Sequence, residues 1–313
     1  MLDALSSVPV TLPREMPLTL LVIIDTEEEF DWSRPVDSAN RAVTSIAAQH
    51  RAQAVFQRYG IVPTYVIDHP VASTPSAIAH LREYFDDGAC EIGAHLHPWV
   101  SPPFEEPVNT YNSYPGNLPP ALEREKLSRL TETITENFGQ RPSVYKAGRY
   151  GVGASTASIL EELEYDVDVS VVPYTDFSDN GGPDFTDCDD RLRWFGNHRQ
   201  LLEIPLSVGF AGLAAGFGPA LYPVTMKPTS CRLRVPGIMA RSRMLERIRL
   251  TPEGIDHAAH RRLTRSLMRQ GQRIFSFTYH SPSLEAGHTP YVRNEDELAA
   301  FIDCIERYCD WFI

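Results

Sequence analysis

Two rhythms of apolar residues alternate along this chain. Short continuous runs rich in β-branched residues recur between stretches whose apolar positions follow a helical spacing. Residues 18–24 form the first such run, Leu-Thr-Leu-Leu-Val-Ile-Ile, which ends abruptly in Asp25-Thr26-Glu27-Glu28-Glu29. A run with so few polar residues reads as a strand buried on both faces. Val43, Ile46, Ala47, Ala54 and Val55 then mark a helix within 39–59 with Gly60 as its stop, and 61–67 returns to strand. The unit repeats. A helix over 76–85 leads to a strand at 90–97, a helix over 122–138 to a strand at 144–147, and a helix over 155–163 to a strand at 165–171. Residues 201–206 give a sixth strand, and 274–279 a seventh after a helix over 257–269. A helix over 295–311 follows it.

Seven strands interleaved with helices imply an α/β fold with a parallel sheet covered on both faces, either closed as a barrel or open and doubly wound. No Gly-x-Gly-x-x-Gly follows the first strand and no Walker pattern occurs, which favours the barrel. One domain over 1–313 is expected, with residues 1–17 as a Pro-punctuated lead-in. Residues 99–121, 173–200 and 207–256 are irregular and too long for ordinary connections, which marks them as functional or mobile loops.

Charge narrows the partners. The 313 residues carry 29 Lys and Arg against 41 Asp and Glu, a formal net charge of −12. That balance argues against nucleic acid and against an anionic membrane surface. Five cysteines, at 90, 188, 231, 304 and 309, are odd in number and form no C-x-x-C, as suits a reducing compartment. With no basic leader at the first residues and no run approaching ~18 apolar residues, a cytoplasmic protein without stable membrane insertion is expected. Whether it forms a homo-oligomer stays open.

Active sites of such barrels lie at the carboxyl ends of the strands. Those ends are polar throughout: Asp25 and Glu27 after the first strand, His95 and His97 at the third, Lys146 and Arg149 at the fourth, Asp166 and Asp168 at the fifth, and Tyr279-His280 at the seventh. Residues two apart on an extended strand share a face, so His95 and His97 look the same way. Pro98 then ends the ladder because it has no N–H to give. Two imidazoles and a carboxylate from a neighbouring strand make the N,N,O ligand set of zinc hydrolases. Asp25 and Glu27 also share a face, which leaves one to bind metal and the other to take a proton. His280 is then free to act as a general acid. Lys146 or Arg149 holds a carboxylate in its charged form or orients substrate. Trp32, Trp99, Tyr150 and Tyr279 are candidates for stacking on sugar faces, or equally for buried aromatic cover.

These stretches are similar to the motifs of the polysaccharide deacetylase family, and most of all to its WalW-like branch. The resemblance rests on Ile24-Asp25-Thr26-Glu27-Glu28, Glu91-Ile92-Gly93-Ala94-His95-Leu96-His97, Tyr145-Lys146-Ala147-Gly148-Arg149-Tyr150-Gly151 and Phe277-Thr278-Tyr279-His280-Ser281-Pro282. It implies a distorted (β/α)7 barrel, a divalent metal such as zinc, and hydrolysis of an N-acetyl or other N-acyl group from an amino sugar or sugar-lipid intermediate. Position by position, it makes Asp25 the general base, Glu27 the carboxylate ligand, His95 and His97 the metal ligands and His280 the general acid. Three positions depart from the pattern. Asp25-Thr26-Glu27 replaces the usual paired aspartates, the histidines are one residue apart rather than three, and Lys146 stands where the family has Arg. Two other readings stand beside it: an amidohydrolase-type barrel acting on a small cyclic amide, and a barrel that binds sugars without turnover.

Overall fold

The computed structural model describes residues 7–198 and 200–313; the first six residues of the expected lead-in lie outside it. Among the described residues the strands are β1 (Val8–Pro9), β2 (Thr19–Thr26), β3 (Thr64–Ile67), β4 (Glu91–Leu96), β5 (Val144–Ala147), β6 (Val167–Asp168), β7 (Arg193–Phe195), β8 (Leu201–Glu203), β9 (Val208–Ala211), β10 (Glu246–Arg249) and β11 (Ile274–His280). The helices are α1 (His50–Arg58), α2 (His69–Ser73), α3 (Pro75–Asp86), α4 (Pro120–Phe138), α5 (Thr156–Glu162), α6 (Gly218–Thr225), α7 (Pro228–Arg232), α8 (Val235–Arg241), α9 (His257–Arg269) and α10 (Glu295–Phe312).

Seven of these strands run parallel in the order β11-β2-β3-β4-β5-β6-β8, and they are the seven expected from the apolar runs. β7 and β1 extend the β8 edge antiparallel, so part of the lead-in is strand. β8 and β11 do not pair, and the barrel is therefore not laddered all the way round. The gap is stitched by single bonds: Leu206 N–H to Val171 O at 2.9 Å, Leu250 N–H to Ser207 O at 2.9 Å, and Thr278 N–H to Leu250 O at 3.1 Å. Beyond the stitch, β9 and β10 form a separate antiparallel pair that the sequence pattern did not announce. Two expected strands are shorter than their apolar runs. The run at 201–206 leaves the ladder after Glu203, close to Pro205, which has no N–H to donate, and the one at 165–171 pairs only over β6.

Strand parity separates floor from wall. Tyr65, Ile92, Leu96, Tyr145, Phe275 and Phe277 belong to the main core cluster, where alternate side chains of the sheet pack with residues of the surrounding helices. Leu298, Phe301, Ile305 and Tyr308 are buried along α10 at i, i+3, i+7 and i+10, one apolar stripe. Each such side chain contributes roughly 1.5–3 kcal/mol by leaving water. The opposite parity points into the barrel. There Ile23, Val66 and Val169 make a small separate apolar cluster. Two residues further along their strands, the same parity gives Asp25 and Asp68, and β4 and β5 contribute His95 and Lys146. Register does the rest: His280 is the β-partner of Asp25, and His95 of Lys146.

Parity also corrects two expectations. Asp168 alternates with Val167 and Val169 and faces away from the barrel interior, where it lies beside buried Glu203; Asp166 is exposed before β6. Tyr279 alternates with His280, and its ring packs edge-on against Phe301 at 5.5 Å, 1% exposed. It borders the site, but the ring serves the core and offers no face for stacking.

Candidate metal centre and its cavity

The carboxyl ends of the strands open into a cavity of about 450 Å³. His95 is the penultimate residue of β4 and His97 follows the strand in extended conformation (φ −98°, ψ 104°), so both rings keep the same face, with centroids 4.4 Å apart. Each ring has its orientation fixed from behind. His95 Nδ1 lies 3.0 Å from the Lys146 carbonyl, which can only accept, so the proton sits on Nδ1. His97 Nδ1 lies 2.8 Å from Glu28 Oε2. Both Nε2 lone pairs are thereby directed at Glu27 Oε2, at 3.6 and 3.5 Å. Burial holds both imidazoles neutral, His95 well below its ordinary pKa and His97 at about 4.

Spacing and chemistry both fit a divalent ion. Ligands about 2.1 Å from a tetrahedral centre sit about 3.4 Å apart, and the three atoms of Glu27, His95 and His97 lie within 4.8 Å of one another. Glu27 Oε1 is buried with no hydrogen-bond partner. Burial first, then the neighbouring Glu28 and Asp25 carboxylates, push the Glu27 pKa well above its usual range. A buried carboxylate with an orphaned oxygen among other acids calls for a cation.

The surrounding shell is equally ordered. Glu28 is fully buried and spends both oxygens, one on His97 and one on the Trp99 indole N–H at 2.7 Å. Trp99 stacks on His97 at 4.2 Å and so supports a ligand rather than presenting a free face. Asp68 takes the Glu28 N–H at 2.8 Å and caps α2 through the Val71 N–H. A second cluster of potential ligands, Glu28, Asp68 and His97 Nδ1, is the support itself, since its contacts already have hydrogen-bond lengths. Glu28 sits in the motif stretch; Asp68 follows β3 as the other polar residues follow their strands, and that signal points to it.

Beside the three converging atoms lies an acid–base pair. Lys146 Nζ contacts Asp25 Oδ1 at 2.5 Å, both side chains buried. Burial pushes the Asp25 pKa up, but the ammonium and the nearby imidazoles outweigh it and hold the carboxyl below its usual range. His280 Nε2 faces Asp25 Oδ2 at 3.7 Å, while its Nδ1 binds Glu253 Oε2 at 2.9 Å. Burial disfavours the imidazolium, yet Glu253 and Asp25 together raise the His280 pKa above its ordinary value. Glu253 is in turn fixed by the His280 N–H at 3.1 Å and the Ser283 hydroxyl at 2.8 Å. It sits in the irregular 207–256 loop, where nothing in the sequence pattern singles it out.

Arg149 reaches the cavity by a different route. Its Nη1 donates to Ser113 Oγ at 2.7 Å and its guanidinium lies 4.5 Å above the Tyr114 ring. Arg149 and Tyr150 have φ of 53° and 62°, a left-handed turn that costs on the order of 1–3 kcal/mol per residue. Gly148 admits the turn: a Cβ there would lie 2.6 Å from the His97 ring and 2.4 Å from Leu96 O. Of the two cations of β5 and the turn that follows it, Lys146 therefore holds the carboxylate and Arg149 lines the wall. Trp32, half-buried, meets the His280 ring edge-on at 4.9 Å, and Tyr150 stacks with Phe177 at 5.5 Å; all three aromatics line the cavity.

No family profile matches this sequence, and no curated protein matches it. Solved structures do share its architecture. An allantoinase is 14% identical, with a TM-score of 0.50 over 96% of this chain and 85% of its own. A polysaccharide deacetylase from Mycobacterium smegmatis is 15% identical, with a TM-score of 0.48 over 96% of this chain and 87% of its own. A family 4 carbohydrate esterase pseudoenzyme from Bacillus anthracis is 8% identical, with a TM-score of 0.41 over 93% of this chain and 61% of its own. The likeness to the allantoinase shows a common fold, and the chain is a distorted (β/α)7 barrel.

Proposed function

We propose that this protein is a metal-dependent hydrolase that removes an N-acetyl or other N-acyl group from an amino sugar or sugar-lipid intermediate. The observation that carries the reading is the convergence of three ligand atoms, from Glu27, His95 and His97, beside a base–acid pair formed by Asp25 and His280. The motif resemblance supports reading it as a polysaccharide deacetylase of the WalW-like branch, and its five free cysteines are compatible with a cytoplasmic setting.

In this reading Glu27, His95 and His97 hold a divalent ion, with zinc the choice the N,N,O donor set favours. Bound there, the ion supplies Lewis-acid polarisation of the amide carbonyl. Asp25, kept ionised by Lys146, takes the proton of the attacking water. His280, kept protonated by Glu253, gives a proton to the departing nitrogen, so that the amine leaves neutral. Glu28 and Trp99 hold His97 in its ligating tautomer. Arg149, Trp32 and Tyr150 shape the space left for substrate.

A cyclic amide is the second substrate class, favoured by the allantoinase likeness. The histidines lie on the third parallel strand in chain order rather than the first, which separates this barrel from the amidohydrolase arrangement. The test is acetate or amine release from N-acetylated amino sugars, with allantoin in parallel, before and after chelation and zinc addition. Metal-dependent turnover of the sugars supports the proposal. A zinc-loaded protein inert on every N-acylated sugar, or active on the cyclic amide alone, overturns it.

A further inference from the structure

The connection between β9 and β10 gives no described residue to the cavity, yet its composition sets it apart from the rest of the chain. From Ile204 through Leu245 there is no Asp or Glu, whereas the remainder carries all 41 acids. The same stretch holds Lys227, Arg232, Arg234, Arg241 and Arg243, all exposed, and none forms an ion pair among the described residues. Among the described residues, eight of the sixteen exposed large apolar side chains also fall there, within about a tenth of the chain. They include Leu213 at 85% exposure, Phe217 and Leu233 at 71%, and Ile238 at 58%. Phe217, at the N-cap of α6, and Leu221 and Val224 within it follow the i, i+4, i+7 spacing of one helical face.

We propose that this insertion, α6 to α8 with its flanking turns, docks the protein on the surface of an anionic lipid bilayer. Large apolar side chains exposed in such number within one insertion mark a partner surface. Unpaired cations among them select the chemistry of that partner. Nucleic acid would use the cations and leave Phe217 and Leu233 in water. A second copy would bring five like charges against five. The interface of an anionic bilayer takes both, with apolar side chains in the acyl boundary and Lys and Arg at the headgroups. The net charge of −12 is an average over the whole chain, whereas this stretch carries five cations and no acid of its own, and charges more than a Debye length of ~8–10 Å away are largely screened. No helix of the described residues is long and apolar enough to cross a membrane, so the contact is interfacial.

The experiment is sedimentation of the full-length protein with vesicles of phosphatidylcholine, alone or mixed with phosphatidylglycerol. Binding is expected only to the mixed vesicles and should weaken with salt. Each cation near an anionic leaflet is worth on the order of fivefold in partition, so R232E/R234E is expected to lower binding at least about twentyfold. F217S/L233S alters only exposed positions and is expected to lower it at least about tenfold with an unchanged melting curve. Equal partition onto both vesicle types, or undiminished binding of either variant, overturns the proposal. So does concentration-dependent self-association abolished by F217S/L233S with no vesicle binding at all.

Discussion

The wall of the cavity and the insertion between β9 and β10 are opposite solutions to the placement of charge. In the wall, Asp25, Glu27, Glu28, Asp68, His95, His97 and Lys146 are each at most 2% exposed, and nearly every oxygen and nitrogen has a named partner. In the insertion, cations stand in solvent without ion-pair partners among the described residues, in a stretch that also exposes Leu and Phe. Buried charge is tolerated only where geometry satisfies it, so the wall is rigid and each member depends on the others. Exposed charge constrains nothing locally. Substitutions should therefore be costly in the first region and silent for stability in the second.

The largest effect is expected for Asp25→Asn. The amide keeps the shape of the carboxylate but cannot take a proton, and turnover should fall ~10²–10⁴-fold in steady-state kinetics. His280→Ala comes next, with kcat lower by ~10²-fold or more and metal content unchanged. Glu28→Ala tests the wall itself. It leaves the Trp99 N–H and the His97 Nδ1–H buried without an acceptor, and each loss costs about 1–3 kcal/mol, which chemical denaturation will read.

A smaller effect separates the two limbs of the pH profile. Activity needs Asp25 ionised and His280 protonated. Asp25 lies below its ordinary value, so the acid limb falls below the usual carboxylate range. His280 lies above its ordinary value, so activity is lost as pH rises through a point above about 6.5. Glu253→Gln removes the charge that supports the imidazolium, and the alkaline limb of kcat/KM should move to lower pH while the acid limb stays in place. The smallest effect is expected in the insertion: Phe217→Ser should change unfolding free energy by no more than about 0.5 kcal/mol.

The same contrast explains what the sequence disclosed. Seven apolar runs were legible as seven parallel strands because each strand is covered on both faces and leaves a continuous signature. His95 and His97 were legible as a pair because parity is local. Asp168 lies near a strand end but on the parity opposite to Val167 and Val169, and Tyr279 alternates with His280, so nearness to a strand end places a residue at the site only when its parity is right. Glu253 was invisible, since it acts through a partner 27 residues away across the β8–β11 gap. Overall acidity describes the chain as a whole, and the acid-free stretch 204–245 emerges only when charge is read segment by segment.

The account stands most directly on metal content. Purified protein reconstituted with zinc and freed of excess should hold about one ion per chain by elemental analysis. His95→Ala should lose at least about tenfold in affinity, as removal of even a supporting residue commonly does. A His95→Ala protein that binds zinc as tightly and in the same ratio as the unaltered chain would contradict the assignment of Glu27, His95 and His97 as its ligands.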